Sequence, residues 1–111
     1  MIFDFHLHIL EKWVKDGATP RAAAEKLVQF MEESGIDVGV ILPIAPYILN
    51  DYVYRVVSYE PKRLVGFASV VPNPADIAMR ELRRAIEDLG LRGVKLHPGM
   101  QGFCIRHPHV I

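Results

Sequence analysis

The residues best suited to chemistry fall into two short clusters of this 111-residue chain. Asp4, His6 and His8 take alternate positions in the run Met1-Ile-Phe-Asp-Phe-His-Leu-His-Ile9. In an extended strand such positions share one face, about 6–7 Å apart along the chain. Phe3, Phe5, Leu7 and Ile9 then take the other face, where helices are expected to cover them. A buried polar group without a partner costs about 1–3 kcal/mol, so this polar face needs a purpose. Two neutral imidazoles ending a strand can converge on one divalent cation, with zinc–nitrogen bonds of about 2.0–2.1 Å. Asp4, one step deeper, is placed to orient a ligand from behind. A pair of merely hydrogen-bonded histidines is the alternative, and the acid beneath two rings favours the metal.

The second cluster is Gly93-Val-Lys-Leu-His-Pro98. Val94 and Leu96 face helices, while Lys95 and His97 face the other way. If the sheet closes into a barrel, both point into the interior that holds His6 and His8. A partly buried ammonium needs a carboxylate, an anionic substrate or a metal-bound group, unless it snorkels to solvent. Pro98-Gly-Met-Gln-Gly-Phe103 reads as an active-site loop. His107-Pro-His109 imitates a ligand pair, but its proline breaks strand alternation, so a loop or helix start is expected. Trp13 belongs to the loop after the first strand, lining a pocket or packing. Cys104, the single cysteine, has no activating neighbour and cannot form an internal disulfide.

Four apolar runs must position these groups: strands near 2–9, 38–42, 64–70 and 93–97. Near-continuous apolar runs suit strands covered on both faces. Between them lie three helices. Thr19 caps the first, Pro20 occupies its first turn and Gly35 stops it, with Ala23, Leu27, Phe30 and Met31 on the apolar face. The second runs over Asn50–Tyr59, with Val53, Val56 and Val57 inward. Asn73-Pro74 opens the third, which buries Ala78, Leu82, Ala85, Ile86 and Leu89 and ends at Gly90. Its charges, Arg80, Glu81, Arg83, Arg84, Glu87 and Asp88, read as a solvated face with local pairing. The order βαβαβαβ predicts right-handed crossovers and a parallel α/β sheet.

Half of the residues are hydrophobic and the formal net charge is zero, which fits one globular unit. With no basic run, nucleic acid is not an expected partner. No apolar stretch is long enough to span a bilayer, and Asp4 and His6 interrupt what a secretory leader would keep apolar. A single cysteine and no leader lead us to expect the cytoplasm. There is no phosphate-cradling glycine loop and no serine nucleophile elbow.

Phe3-Asp-Phe-His-Leu-His8 and Leu91-Arg-Gly-Val-Lys-Leu-His-Pro-Gly-Met-Gln-Gly-Phe103 together resemble the amidohydrolase superfamily. The likeness is to its amidohydrolase-related branch, which includes the aminocarboxymuconate-semialdehyde decarboxylase-like enzymes. Leu64-Val-Gly-Phe-Ala-Ser-Val-Val-Pro-Asn-Pro74 is similar to that family's third strand. The resemblance implies the N-terminal portion, about four βα units, of a (β/α)8 barrel. It also implies His6 and His8 as metal ligands, with zinc the first choice, and Lys95 and His97 facing the site from the fourth strand. In some branches a lysine at this level is carboxylated and bridges two metals. A full barrel needs about 250 residues. The family's third histidine, after strand five, and its aspartate, after strand eight, have no position here. The chain is therefore expected to be a truncated frame or domain fragment of a barrel, or to be completed by self-association or a complementary chain.

The expected activity is metal-dependent hydrolysis of a small molecule, with a metal-activated water attacking an amide, ester or lactone. Non-oxidative decarboxylation of an unsaturated or aromatic acid is the rival, and an inactive half-barrel the non-enzymatic alternative. Barrel phosphoesterases and DNases also open with Asp-x-His-x-His. Their usual glutamate-centred motif is replaced here by Gly66-Phe-Ala-Ser69 and Gly93-Val-Lys-Leu-His97.

Overall fold

A computed structural model describes residues 1–102, so Phe103, Cys104 and His107-Pro-His109 lie outside the described residues. Three strands pair in parallel in the order β1 (Phe3–Leu7), β2 (Val38–Ile41) and β3 (Leu64–Gly66), and β4 (Ala68–Ser69) pairs in parallel with β5 (Val94–Lys95). The third apolar run therefore forms two strands, not one, with the break at Phe67. Its first half pairs back onto β2, Gly39 opposite Leu64, and its second half pairs forward onto β5, Ser69 opposite Lys95. Hydrogen bonds from Arg92 N–H to the Gly66 carbonyl (2.8 Å) and from Ala68 N–H to the Gly93 carbonyl (2.7 Å) span the break. A strand handed from one neighbour to the next in this staggered way is what a closed barrel wall requires. The chain is a parallel α/β portion of a (β/α)8 barrel. The first and fourth strands are shorter than the expected 2–9 and 93–97.

The helices form where local signals are strongest. In α2 (Pro20–Ser34), Thr19 Oγ1 accepts from Ala22 N–H at 3.1 Å and Gly35 ends the helix at φ 71°. Ala23, Leu27 and Met31 are buried, but Phe30 is not. Helix α3 (Asn50–Tyr59) buries Val53 and Val56 and packs Val57 at the margin. In α4 (Ala75–Glu87) the cap is Pro74, with no side-chain hydrogen bond, so Asn73 does not play the role that the sequence suggests. Ala78 and Ala85 are its buried contacts, and Ile86 is exposed. Two short helices replace expected loops: α1 (Glu11–Lys15), carrying Trp13, and α5 (Pro98–Gln101). Trp13 stacks under the Lys26 ammonium, 5.1 Å from the ring centroid. Among the described residues no helix is long and apolar enough to cross a membrane.

Gly39 explains how closely α2 seats on the sheet. A Cβ there would come within 3.2 Å of Met31 Sδ and would overlap the Leu7 side chain outright. Leu7 and Met31 can close over β2 only because that position has no side chain. Phe3 and Phe5 depart from expectation. They are 50% and 63% exposed, because β1 is an edge of its sheet and no described element covers their side.

Candidate metal and substrate site

The C-terminal ends of the strands open into a cavity of about 390 Å³. Its walls bring together His6, His8, Lys95 and His97, the four residues that the sequence singled out as ligands or catalysts. The rings of His6 and His8 meet edge to face, with centroids 4.7 Å apart. His8 Nδ1 lies 2.9 Å from the Leu42 carbonyl at the end of β2. A carbonyl can only accept, so the ring carries its proton on Nδ1 and keeps the Nε2 lone pair free. That is the arrangement a metal-ligating imidazole needs. Leu42 is itself held, since its N–H donates to the Leu7 carbonyl at 2.8 Å. The two rings fit half of a divalent-metal site. Among the described residues no group of three or more His, Cys, Asp or Glu completes it.

Asp4 is not brought into this cavity. Between Asp4 and Leu7 the strand spends three residues where β2 spends two, so strict alternation breaks. Asp4 Oδ1 accepts from the backbone N–H of His6 at 2.9 Å, which steadies the strand rather than a ring. Asp4 lines a second hollow that it shares with His6 and His8, beside Trp13, Lys26 and Phe30.

Lys95 is half-buried on β5 and, among the described residues, takes part in no ion pair. His97 sits just past the strand and caps α5, its Nδ1 accepting from Met100 N–H at 3.1 Å. The described part of the expected active-site loop, residues 98–102, is thus a hydrogen-bonded helical turn.

Three residues that sequence reasoning missed hold this end together. Gln101 Oε1 accepts from His97 N–H at 2.8 Å, while its Nε2 donates to the Ala45 carbonyl (2.9 Å), Ser69 Oγ (3.2 Å) and the Val70 carbonyl (3.2 Å). Ser69 Oγ also accepts from Ala45 N–H at 2.9 Å. Buried Asn50 brackets the backbone of Ser69, accepting from its N–H (2.8 Å) and donating to its carbonyl (3.0 Å), and also donates to Glu81. The one available signal was Ser69, a polar residue inside an otherwise apolar run.

Glu81 continues outward to Arg84, which also grips Asp51 of α3 with two nitrogens, at 2.7 and 3.0 Å. Hydrogen bonding to the Arg84 guanidinium holds the Asp51 and Glu81 carboxyls below the usual carboxylate range, and burial opposes this only partly. The charges of α4 are therefore a cross-helix clamp as well as a solvated face.

A family model described as amidohydrolase matches residues 3–109. A 2-amino-3-carboxymuconate-6-semialdehyde decarboxylase of Dictyostelium discoideum is 39% identical over 67 residues, covering 60% of this chain and 18% of that protein. The crystal structure of 4-oxalomesaconate hydratase from Rhodopseudomonas palustris superposes with a TM-score of 0.67 at 21% identity, over 85% of this chain and 40% of that one. A dihydroxybenzoic acid decarboxylase from Polaromonas, solved with manganese and the inhibitor 2-nitroresorcinol, matches with a TM-score of 0.56 at 25% identity, over 84% and 36%. The chain spans less than half the length of each of these relatives.

Proposed function

Because the chain belongs to the amidohydrolase family, we propose that it forms the metal-holding half of the active site of an enzyme that decarboxylates a small unsaturated or aromatic acid. The observation that carries this reading is the single cavity in which the paired imidazoles of His6 and His8 meet Lys95 and His97. His6 and His8 hold a divalent ion, zinc or manganese; the manganese of the Polaromonas relative supports the ion class. When bound, such an ion polarises a substrate oxygen and supplies charge without a proton. Lys95 holds the acid in the cavity by charge, since the only carboxylate lining it among the described residues, Glu11, is paired with Lys15 at 2.9 Å. In the reaction the bond from substrate carbon to carboxyl breaks, carbon dioxide leaves, and the carbon takes a proton. Asp4 acts from behind by fixing the main chain of His6.

Hydrolysis of an amide, ester or lactone, the first expectation from sequence, becomes the second reading. The family description supports it, while two of the relatives are decarboxylases and support its rival. The open edge of β1, with Phe3 and Phe5 exposed, supports completion of the barrel by further strands, from a complementary segment or a second copy.

The test is direct. Purified chain is assayed for bound metal beside the His6→Ala/His8→Ala double variant, then for carbon dioxide release from dihydroxybenzoate and for ester hydrolysis. Stoichiometric metal lost in the variant, with carbon dioxide released, supports the proposal. Ester cleavage alone selects the hydrolase, metal without either reaction selects the inactive half-barrel, and a wild-type chain that takes up no metal overturns the site.

A further inference from the structure

The hydrogen bonds of the cavity's histidines sort them into two kinds. The Leu42 carbonyl makes His8 a proton-on-Nδ1 ring with a free Nε2 lone pair. For His97 the partner is a backbone N–H, which can only donate, so Nδ1 of His97 must carry the lone pair and Nε2 the proton. Two imidazoles that line one cavity are thus held in opposite tautomers by opposite backbone groups.

We infer that His97 is not a metal ligand but a hydrogen-bond donor, presenting Nε2–H beside the Lys95 ammonium to an anionic oxygen of the substrate. Its Nδ1 is committed to the Met100 amide, so Nε2 is the ring nitrogen left to the cavity. A ring with its proton there cannot also offer that nitrogen to a cation. Gln101 is the positioning residue. It bonds the His97 N–H and anchors itself on Ala45, Ser69 and Val70, which fixes the main chain that carries the ring, while the Met100 amide holds the ring itself. Met100 lies in the first turn of α5, where a backbone amide has no acceptor within the helix and so donates to the His97 ring. The donor's target rests on the proposed function, whereas the tautomer stands without it.

Long-range proton–nitrogen NMR of the ¹⁵N-labelled chain, at a pH about two units above the ordinary imidazole value, reads each ring's tautomer with and without zinc. The expected result is a proton on Nδ1 of His8 and on Nε2 of His97, with zinc shifting Nε2 of His6 and His8 only. A proton on Nδ1 of His97, or a zinc-induced ligand shift at its Nε2, overturns the inference. Benzoate then serves as the anionic probe, and it should move the His97 Nε2–H signal. His97→Asn keeps an oxygen to accept from Met100 N–H but has no donor at the Nε2 position. It should bind benzoate about tenfold more weakly, with zinc affinity and melting temperature unchanged. Unchanged benzoate binding or lost zinc affinity in His97→Asn overturns the assignment. If wild-type chain takes up no zinc, the proposed function falls, while the His97 tautomer is still read in the metal-free spectrum.

Discussion

The two ends of the parallel strands handle polar groups in opposite ways. At the N-terminal end Arg63 is consumed by the fold: it donates to the Asp37 carbonyl at 2.7 Å and the Ile36 carbonyl at 3.1 Å, and pairs with Glu32. Asp37 in turn accepts from Ile2 N–H at 2.6 Å. At the C-terminal end His6, His8, Lys95 and His97 converge on a cavity with nitrogens to spare. A guanidinium satisfied by several oxygens is a fastener, whereas an ammonium with no carboxylate opposite it among the described residues is an invitation to a ligand. Barrel enzymes divide stability and chemistry between their faces in this sense.

Substitutions at the two ends should therefore separate binding from stability. The largest effect is expected for His8→Ala, with metal affinity down at least a hundredfold and the melting temperature of metal-free protein little changed; isothermal titration and thermal melts read the two quantities. Asn50→Leu comes next, costing about 3 kcal/mol by urea unfolding, because the backbone of buried Ser69 loses both partners at once. Arg63→Met should cost about 1–2 kcal/mol while leaving zinc affinity unchanged. A fall in zinc affinity in that variant would break the contrast between the ends.

The smallest effect concerns acid. Asp51 and Glu81 have their folded-state pKa values lowered, chiefly by hydrogen bonds from Arg84. Depressed carboxyls contribute stability that is present above the unfolded value, about 4, and is lost as pH falls through the folded one. Urea midpoints should therefore drop below about pH 4, and Arg84→Leu should flatten that drop at a cost of under about 1 kcal/mol at neutral pH, since the ion pairs are partly exposed.

Sequence carried the elements whose signals are local. Thr19, Pro20 and Gly35 bound α2 through contacts within a turn, and period-two spacing carried His6 and His8 to one cavity. What escaped depends on partners far along the chain. Gln101 meets Ala45 across 56 positions and Asn50 meets Ser69 across 19, with no periodicity to announce either. The irregular register of β1 is invisible to simple alternation: Asp4 shares the second hollow with both histidines but does not reach the cavity that holds Lys95 and His97. The exposure of Phe3 and Phe5 follows from β1 being an edge, a property of the sheet rather than of the strand.

The carboxamide of Gln101 ties the segments following β2, β4 and β5 to one another. The rim of the cavity should accordingly open as a single cooperative unit and not loop by loop. Protection against deuterium exchange at the amides of Ala45 and His97 would then rise and collapse together, and Gln101→Leu would release both at a common rate, while the Ser69 amide stays with Asn50.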